Sequence, residues 1–226
     1  MKKFIVFLIV LFNLNSFSQT ESKGIKIGVC FEMRGPYRFK REAMQGTVTE
    51  FNNDDPSDPY YDAIEFFKTE KVNPTNILLK NYLDNLKLNG FNPIIINEKL
   101  DKINFPDYKS QRNKFYPKDL SYLKKQYDLD YVLIIYGDYG FEFERIGVIG
   151  GDKRTHITLY NSFANVNSNE IIEKFRVTDI KNIKKKNLLS PPDYPNIVES
   201  MGRLLNERIL PELKDKVGSY VIITTE

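Results

Sequence analysis

An α/β (α+β) fold, with a mixed central sheet and helices packed on it, is predicted by three features of the sequence. Ile25, Ile27, Val29 and Phe31 alternate with other residues at a period of two, the mark of a half-buried strand. Tyr131 to Tyr136 is a short, β-branched apolar run bounded by Asp130 and Gly137, which reads as a strand buried on both faces. Two stripes repeat at the helical period: Ile77, Leu78, Leu83 and Leu86, then Ile197, Met201, Leu204, Leu205 and Ile209. The second makes a long carboxy-terminal helix.

The elements follow in order. Residues 1–18 are a secretory signal peptide: Lys2 and Lys3 are followed by the apolar run Phe4 to Phe12 and by Ser16-Phe17-Ser18, small residues where the peptidase reads. The run is shorter than the roughly 20 residues of a membrane span. Residues 19–24 form a polar leader, and 25–226 a single domain with insertions near 36–72 and 97–117. Gly35-Pro36 is expected to end the first strand. Within the first insertion, Asn52 to Pro59 is a turn-rich acidic loop, and Tyr60, Tyr61, Ile64, Phe66 and Phe67 follow as an aromatic patch.

Asn73 caps the next helix, Pro74 fits its first turn and Gly90 closes it. Phe91 to Ile96 is a strand, and Pro117 to Tyr127 a short helix. After Tyr136 the strand resumes with Phe141, Phe143 and Ile146, interrupted at Gly137-Asp138-Tyr139-Gly140 by a bulge. Thr155 to Val166 and Ile171 to Val177 form a hairpin around Asn167-Ser168-Asn169. Pro211 is expected to kink or stop the last helix, and Tyr220 to Thr224 to add a final strand.

Composition excludes several functions. The chain has 226 residues and a formal net charge of +3, but Lys2 and Lys3 leave with the signal peptide. The mature chain therefore has no global field for nucleic acid. The lysines at 181, 184, 185 and 186 lack an aromatic platform and read as a solvated loop. One His and one Cys cannot build a zinc site. Asp54, Asp55 and Asp58 lack the glycine and terminal glutamate of a calcium loop, so no metal is assigned. Cys30 reads as a buried strand thiol, not as a lipid attachment site, because it lies far beyond the apolar run and follows Val29.

Catalytic constellations are equally scarce. His156 is the sole imidazole, it is expected at a solvated strand end, and no glycine-flanked serine elbow accompanies it. Glu142 and Glu144 fall on one strand face, as solvent-facing acids or as a carboxylate pair. Gly147, Gly150 and Gly151 precede a strand, not a helix, so they make a hairpin connection and no nucleotide site. No catalytic or cofactor-binding residue is assigned, and no cofactor.

The helix ending Leu86-Lys87-Leu88-Asn89-Gly90, the strand Phe91-Asn92-Pro93-Ile94-Ile95-Ile96, and the strand from Asp130 to Gly137 occur in an order that resembles a bacterial envelope domain. That domain is shared by the TolB amino-terminal module, the curli secretion lipoprotein CsgG and the penicillin-binding-protein activator LpoB. Its central strand carries an acidic residue before the apolar run and a glycine after it, as Asp130 and Gly137 do here. The resemblance spans about residues 25–217 and implies a non-catalytic adaptor that binds another envelope protein. It offers no catalytic residues.

The reading favoured over an enzyme is therefore an exported protein of the periplasm or cell envelope that acts by protein binding. Tyr60, Tyr61, Phe66 and Phe67 are its candidate surface. The alternatives are a periplasmic hydrolase using Glu142, Glu144 and His156, or a small-ligand or lipid-binding module with an apolar pocket.

Overall fold

The computed structural model describes residues 24–42, 48–51, 56–57, 61–69, 71–97, 114–116, 118–146, 149–184 and 194–220. Residues 1–18, most of the acidic loop, Tyr60 and most of the second insertion lie outside them. The strands are β1 (Ile25–Glu42), β2 (Val48–Phe51), β3 (Phe91–Ile95), β4 (Tyr131–Ile146), β5 (Ile149–Asn165) and β6 (Ile171–Asn182). The helices are α1 (Tyr61–Phe67), α2 (Pro74–Leu88), α3 (Ser121–Tyr127), α4 (Tyr194–Leu204) and α5 (Leu210–Gly218), with a π-helical turn at Leu205–Ile209 between the last two. The fold is the predicted mixed sheet with helices on it.

Strand order is β2-β1-β4-β5-β6, and β3 shares the β2 edge of β1. β1 runs parallel to β3 and β4, joined through helical connections, while β4, β5 and β6 are antiparallel neighbours. Parallel pairs need such crossovers, whereas antiparallel pairs close with short turns. The turn between β5 and β6 is built by asparagines. The Asn165 carboxamide accepts from the Asn167 and Ser168 amides at 2.8 and 3.0 Å, and Asn169 takes a positive φ of 62°, which asparagine tolerates. The Asn169 carboxamide then accepts from the Leu120 amide at 2.9 Å, which ties the approach to α3 onto the hairpin.

β1 does not end at Gly35-Pro36. It continues to Glu42, with one extra residue between Arg34 and Tyr37 set against Asp138 to Gly140 of β4. The bulge thus belongs to β1, and β4 passes through Gly137-Asp138-Tyr139-Gly140 as strand. Gly35 has φ +133° and lies so close to the Tyr139 carbonyl that a Cβ would collide with it, so only glycine fits this bend.

Each face of the sheet carries its own core. On the first, Leu133, Ile135, Phe141, Leu159, Phe163 and Val177 meet Leu78, Tyr82 and Leu86 of α2 and Met201, Ile209, Leu213 and Val217 of the carboxy-terminal helices. On the second, Cys30, Val132, Ile134 and Ala164 pack against Leu120, Leu123 and Leu129. Asn73 caps α2 as expected, accepting from the Thr75 amide at 2.9 Å. Pro211 does not stop the last helix. The turn before it widens into the π segment, which accommodates a residue without an N–H and with a ring that crowds the preceding carbonyls. Of the final strand expected at Tyr220 to Thr224 only Tyr220 is described, and it is buried just past α5; the rest lies outside the described residues.

Two buried phenols make a pH prediction. Burial raises the Tyr82 hydroxyl well above its usual value of 10.0, against the opposing effect of its hydrogen bond to Asn161, and burial also raises Tyr220. Above pH ~10 the unfolded chain releases protons that the folded chain keeps. The contribution of these groups is therefore fully present below pH ~10 and declines as pH climbs beyond it. Unfolding free energy measured in urea is expected to fall above pH ~10, and Tyr82→Phe is expected to make the decline shallower. An unchanged slope in the variant would refute the assignment.

Candidate functional site

Alternation along β4 divides its side chains. Leu133, Ile135, Tyr139 and Phe141 enter the first core, so Tyr136, Asp138 and Gly140 stand on the second face. The packing of α3 covers that face only as far as Ile134. From Tyr136 onward, the register aligns three rows across four strands: Glu32, Tyr136, Tyr160 and Arg176, then Arg34, Asp138, Thr158 and Thr178, then Tyr37, Gly140, His156 and Ile180.

Aromatic and cationic groups interleave in this array. The rings of Tyr136 and Tyr160 stack at 6.5 Å and 20°. The Arg34 guanidinium lies 5.1 Å from the centre of the Tyr136 ring, and that of Arg176 lies 5.3 Å from the centre of Tyr160. Each is within cation–π range. The Arg176, Thr178 and Ile180 side chains are exposed, Ile180 by 43%.

His156 is not at a solvated strand end. It sits within β5, 8% exposed, and its Nε2 lies 3.3 Å from Oδ1 of Asp138. Sequence missed this pair because the two residues meet diagonally across strands. An imidazole oriented by a carboxylate is one half of a nucleophilic triad. The hydroxyl beside it does not complete one: Thr158 Oγ1 lies 2.9 Å from Thr178 Oγ1, turned toward β6. Glu142 and Glu144 stand opposite Phe39 and Arg41 of β1, beyond the His156 row. Among the described residues no group of three or more His, Cys, Asp or Glu could hold a metal ion.

The aromatic patch divides. Phe67 is a core residue, 2% exposed, with its ring 5.7 Å from that of Phe141. It cannot belong to a contact surface, because the period of α1 turns it toward the sheet. Tyr61 and Phe66 are half-buried. Lys181 and Lys184 of the basic stretch pair with Glu207 at 2.6 Å and Glu199 at 2.9 Å. A separate open groove of about 590 Å³ runs between the end of α2 and α5, lined by Asn85, Leu88, Asn89, Pro211, Lys214 and Gly218. Leu88 on its rim is 79% exposed.

No protein-family model matches the chain, and no curated protein does. Among solved structures it is similar to a Xanthomonas campestris protein of family DUF330, at 10% identity and TM-score 0.44, over 90% of this chain and 87% of that one. It is similar also to a neuraminyllactose-binding hemagglutinin homolog of Helicobacter pylori, at 11% identity and TM-score 0.40, over 91% and 92%. A third is the lipoprotein GNA1162 of Neisseria meningitidis, at 11% identity and TM-score 0.31, over 72% and 87%. Likenesses of this size fix neither activity nor partner.

Proposed function

We propose that this chain is an exported cell-envelope protein that acts without catalysis, by binding another envelope protein through the second face of its sheet beyond α3. The observation that carries this reading is the cluster of Tyr136, Tyr160 and Arg176 in one row with Arg34 from the next row over Tyr136, in which stacked tyrosines and arginines share one face. Tyrosine and arginine supply large contact area and directional hydrogen bonds, and both are enriched at binding hot spots. Export rests on the Lys2-Lys3, Phe4–Phe12 and Ser16–Ser18 pattern. Among the described residues no helix is long and apolar enough to cross a membrane. The order α2, Gly90, Phe91, β3, with Asp130 and Gly137 bracketing the apolar run of β4, supports the adaptor-like envelope reading. Tyr61 and Phe66 form a second contact patch on α1.

Photo-crosslinking in cells tests this. A benzophenone amino acid at Tyr160 is expected to give a light-dependent adduct with another envelope protein. The same group at Lys80, on the exposed side of α2, is expected to give none, and the adduct to begin at Gln19. Equal adducts at both positions, or none at Tyr160, would overturn the surface. A retained leader would overturn its removal as a signal peptide.

A further inference from the structure

We infer that β6 pairs edge to edge with β6 of a second copy of this chain. β6 ends the sheet, and its pairing phase decides which backbone groups face outward. The Ile183 amide donates to the Lys153 carbonyl at 2.8 Å. The register from Glu173 to Asn182 is unbroken, so the odd residues of β6 bond to β5. Lys174, Arg176, Thr178 and Ile180 therefore turn N–H and C=O away from it. The start of this edge already accepts an antiparallel segment. The Ile171 amide donates to the Lys114 carbonyl and the Tyr116 amide to the Asn169 carbonyl, both at 2.8 Å, around the Phe115–Glu170 bridge. Beyond Ile171, no strand among the described residues occupies it.

The charge pattern specifies the second copy and its register. A two-fold axis perpendicular to the sheet makes β6 antiparallel to itself and keeps like faces together. With Val177 on the axis, Glu173 stands opposite Lys181, which would add this contact to its pair with Glu207 of its own chain, Arg176 opposite Thr178, and Lys174 opposite Ile180. Centring on Arg176 instead sets Arg176 against itself and Glu173 against Asp179. Centring on Thr178 leaves no opposite-charge pair. Directly opposed unlike charges stabilise a strand pair and like charges oppose it, so the Val177 register is favoured. An edge of this length that no described strand covers is otherwise a liability. The contact is a strand edge with its side chains, smaller than the roughly 1,000 Å² of stable interfaces, so the dimer is reversible.

Sedimentation velocity on the mature chain is expected to show a monomer–dimer equilibrium between roughly 1 and 100 µM. Thr178→Pro removes an outward backbone donor and no backbone bond to β5, though it also loses the hydroxyl contact with Thr158, and is expected to leave only monomer. Lys181→Glu is expected to weaken the dimer about tenfold, and Glu173→Lys combined with Lys181→Glu to restore it. A wild-type chain that is monomeric throughout this range would overturn the inference, as would a folded Thr178→Pro chain that still dimerises. If Thr178→Pro does not fold, the charge pair decides: Lys181→Glu without effect, or no recovery in the folded double variant, has the same force.

Discussion

Replacing Tyr220 by alanine is expected to lower the unfolding free energy by about 3–5 kcal/mol. The Tyr220 ring is fully buried and stacks on Phe163 at 4.4 Å and 15°, with Phe175 at 6.1 Å. Phe163 in turn stacks on Tyr131 at 5.2 Å and meets Phe91 edge-on at 6.4 Å. Tyr220 thus closes an aromatic cluster that joins β3, β4, β5 and β6. Its truncation opens a cavity against β5 and β6, whose backbones are fixed by pairing and cannot collapse into it, which puts the cost in the upper range for aromatic residues. The midpoint of urea unfolding should fall at unchanged slope. A loss below about 1 kcal/mol would show that the cluster forms without Tyr220.

The elements that local chemistry controls were legible in the sequence. Asn73 and Pro74 announce the start of α2, and the Asn167-Ser168-Asn169 turn announces the β5–β6 hairpin. The uneven alternation of Ile171, Glu173 and Phe175 also has a local cause. Ala164 pairs with Ile171 and Phe163 with Glu173, so Ile172 is an extra residue in β6 that shifts the pattern. What sequence misplaced depends on partners far along the chain. Gly35-Pro36 looks like a terminus unless β4 is known to run alongside and hold both sides of the bulge. Pro211 looks like a stop unless the buried Leu205, Ile209 and Leu213 on either side hold the helix to the sheet.

The candidate face was illegible for the same reason. Tyr136 and Tyr160 are distant in sequence, as are Arg34 and Arg176, and only the registers of β1 with β4 and of β5 with its neighbours bring them into adjacent rows of one face. One local signal was available. Tyr136 and Asp138 alternate with Ile135 and Tyr139, so if the second set is core, the first forms a polar face on the same strand. The aromatic patch offered the opposite lesson. Tyr61, Phe66 and Phe67 are adjacent in sequence, yet helical geometry separates them, and Phe67 goes to the core.

Gly137→Val is expected to destabilise the fold by about 3 kcal/mol and to disturb the Tyr136–Tyr160 stack. Gly137 points into the first core, where a Cβ would collide with the Thr158 carbonyl oxygen and lie 2.9 Å from both Leu159 Cδ2 and Met33 Sδ. The two side chains can yield, but the carbonyl belongs to the paired strand β5 and cannot move without parting it from β4. Tyr136 and Asp138 flank Gly137, and their partners Tyr160 and His156 flank the Thr158–Leu159 segment. Strain that parts the strands here therefore reaches the proposed binding face through the backbone. The double variant Gly137→Ala with Leu159→Ala separates the two causes. If the carbonyl is limiting, removing the Leu159 side chain relieves nothing, and the two losses of stability should add within about 0.5 kcal/mol. A strongly favourable coupling would show that side-chain packing, not strand separation, imposes glycine at this position. The Tyr160 crosslink gives the functional readout: its yield should drop in a folded Gly137→Ala chain and hold in Leu159→Ala.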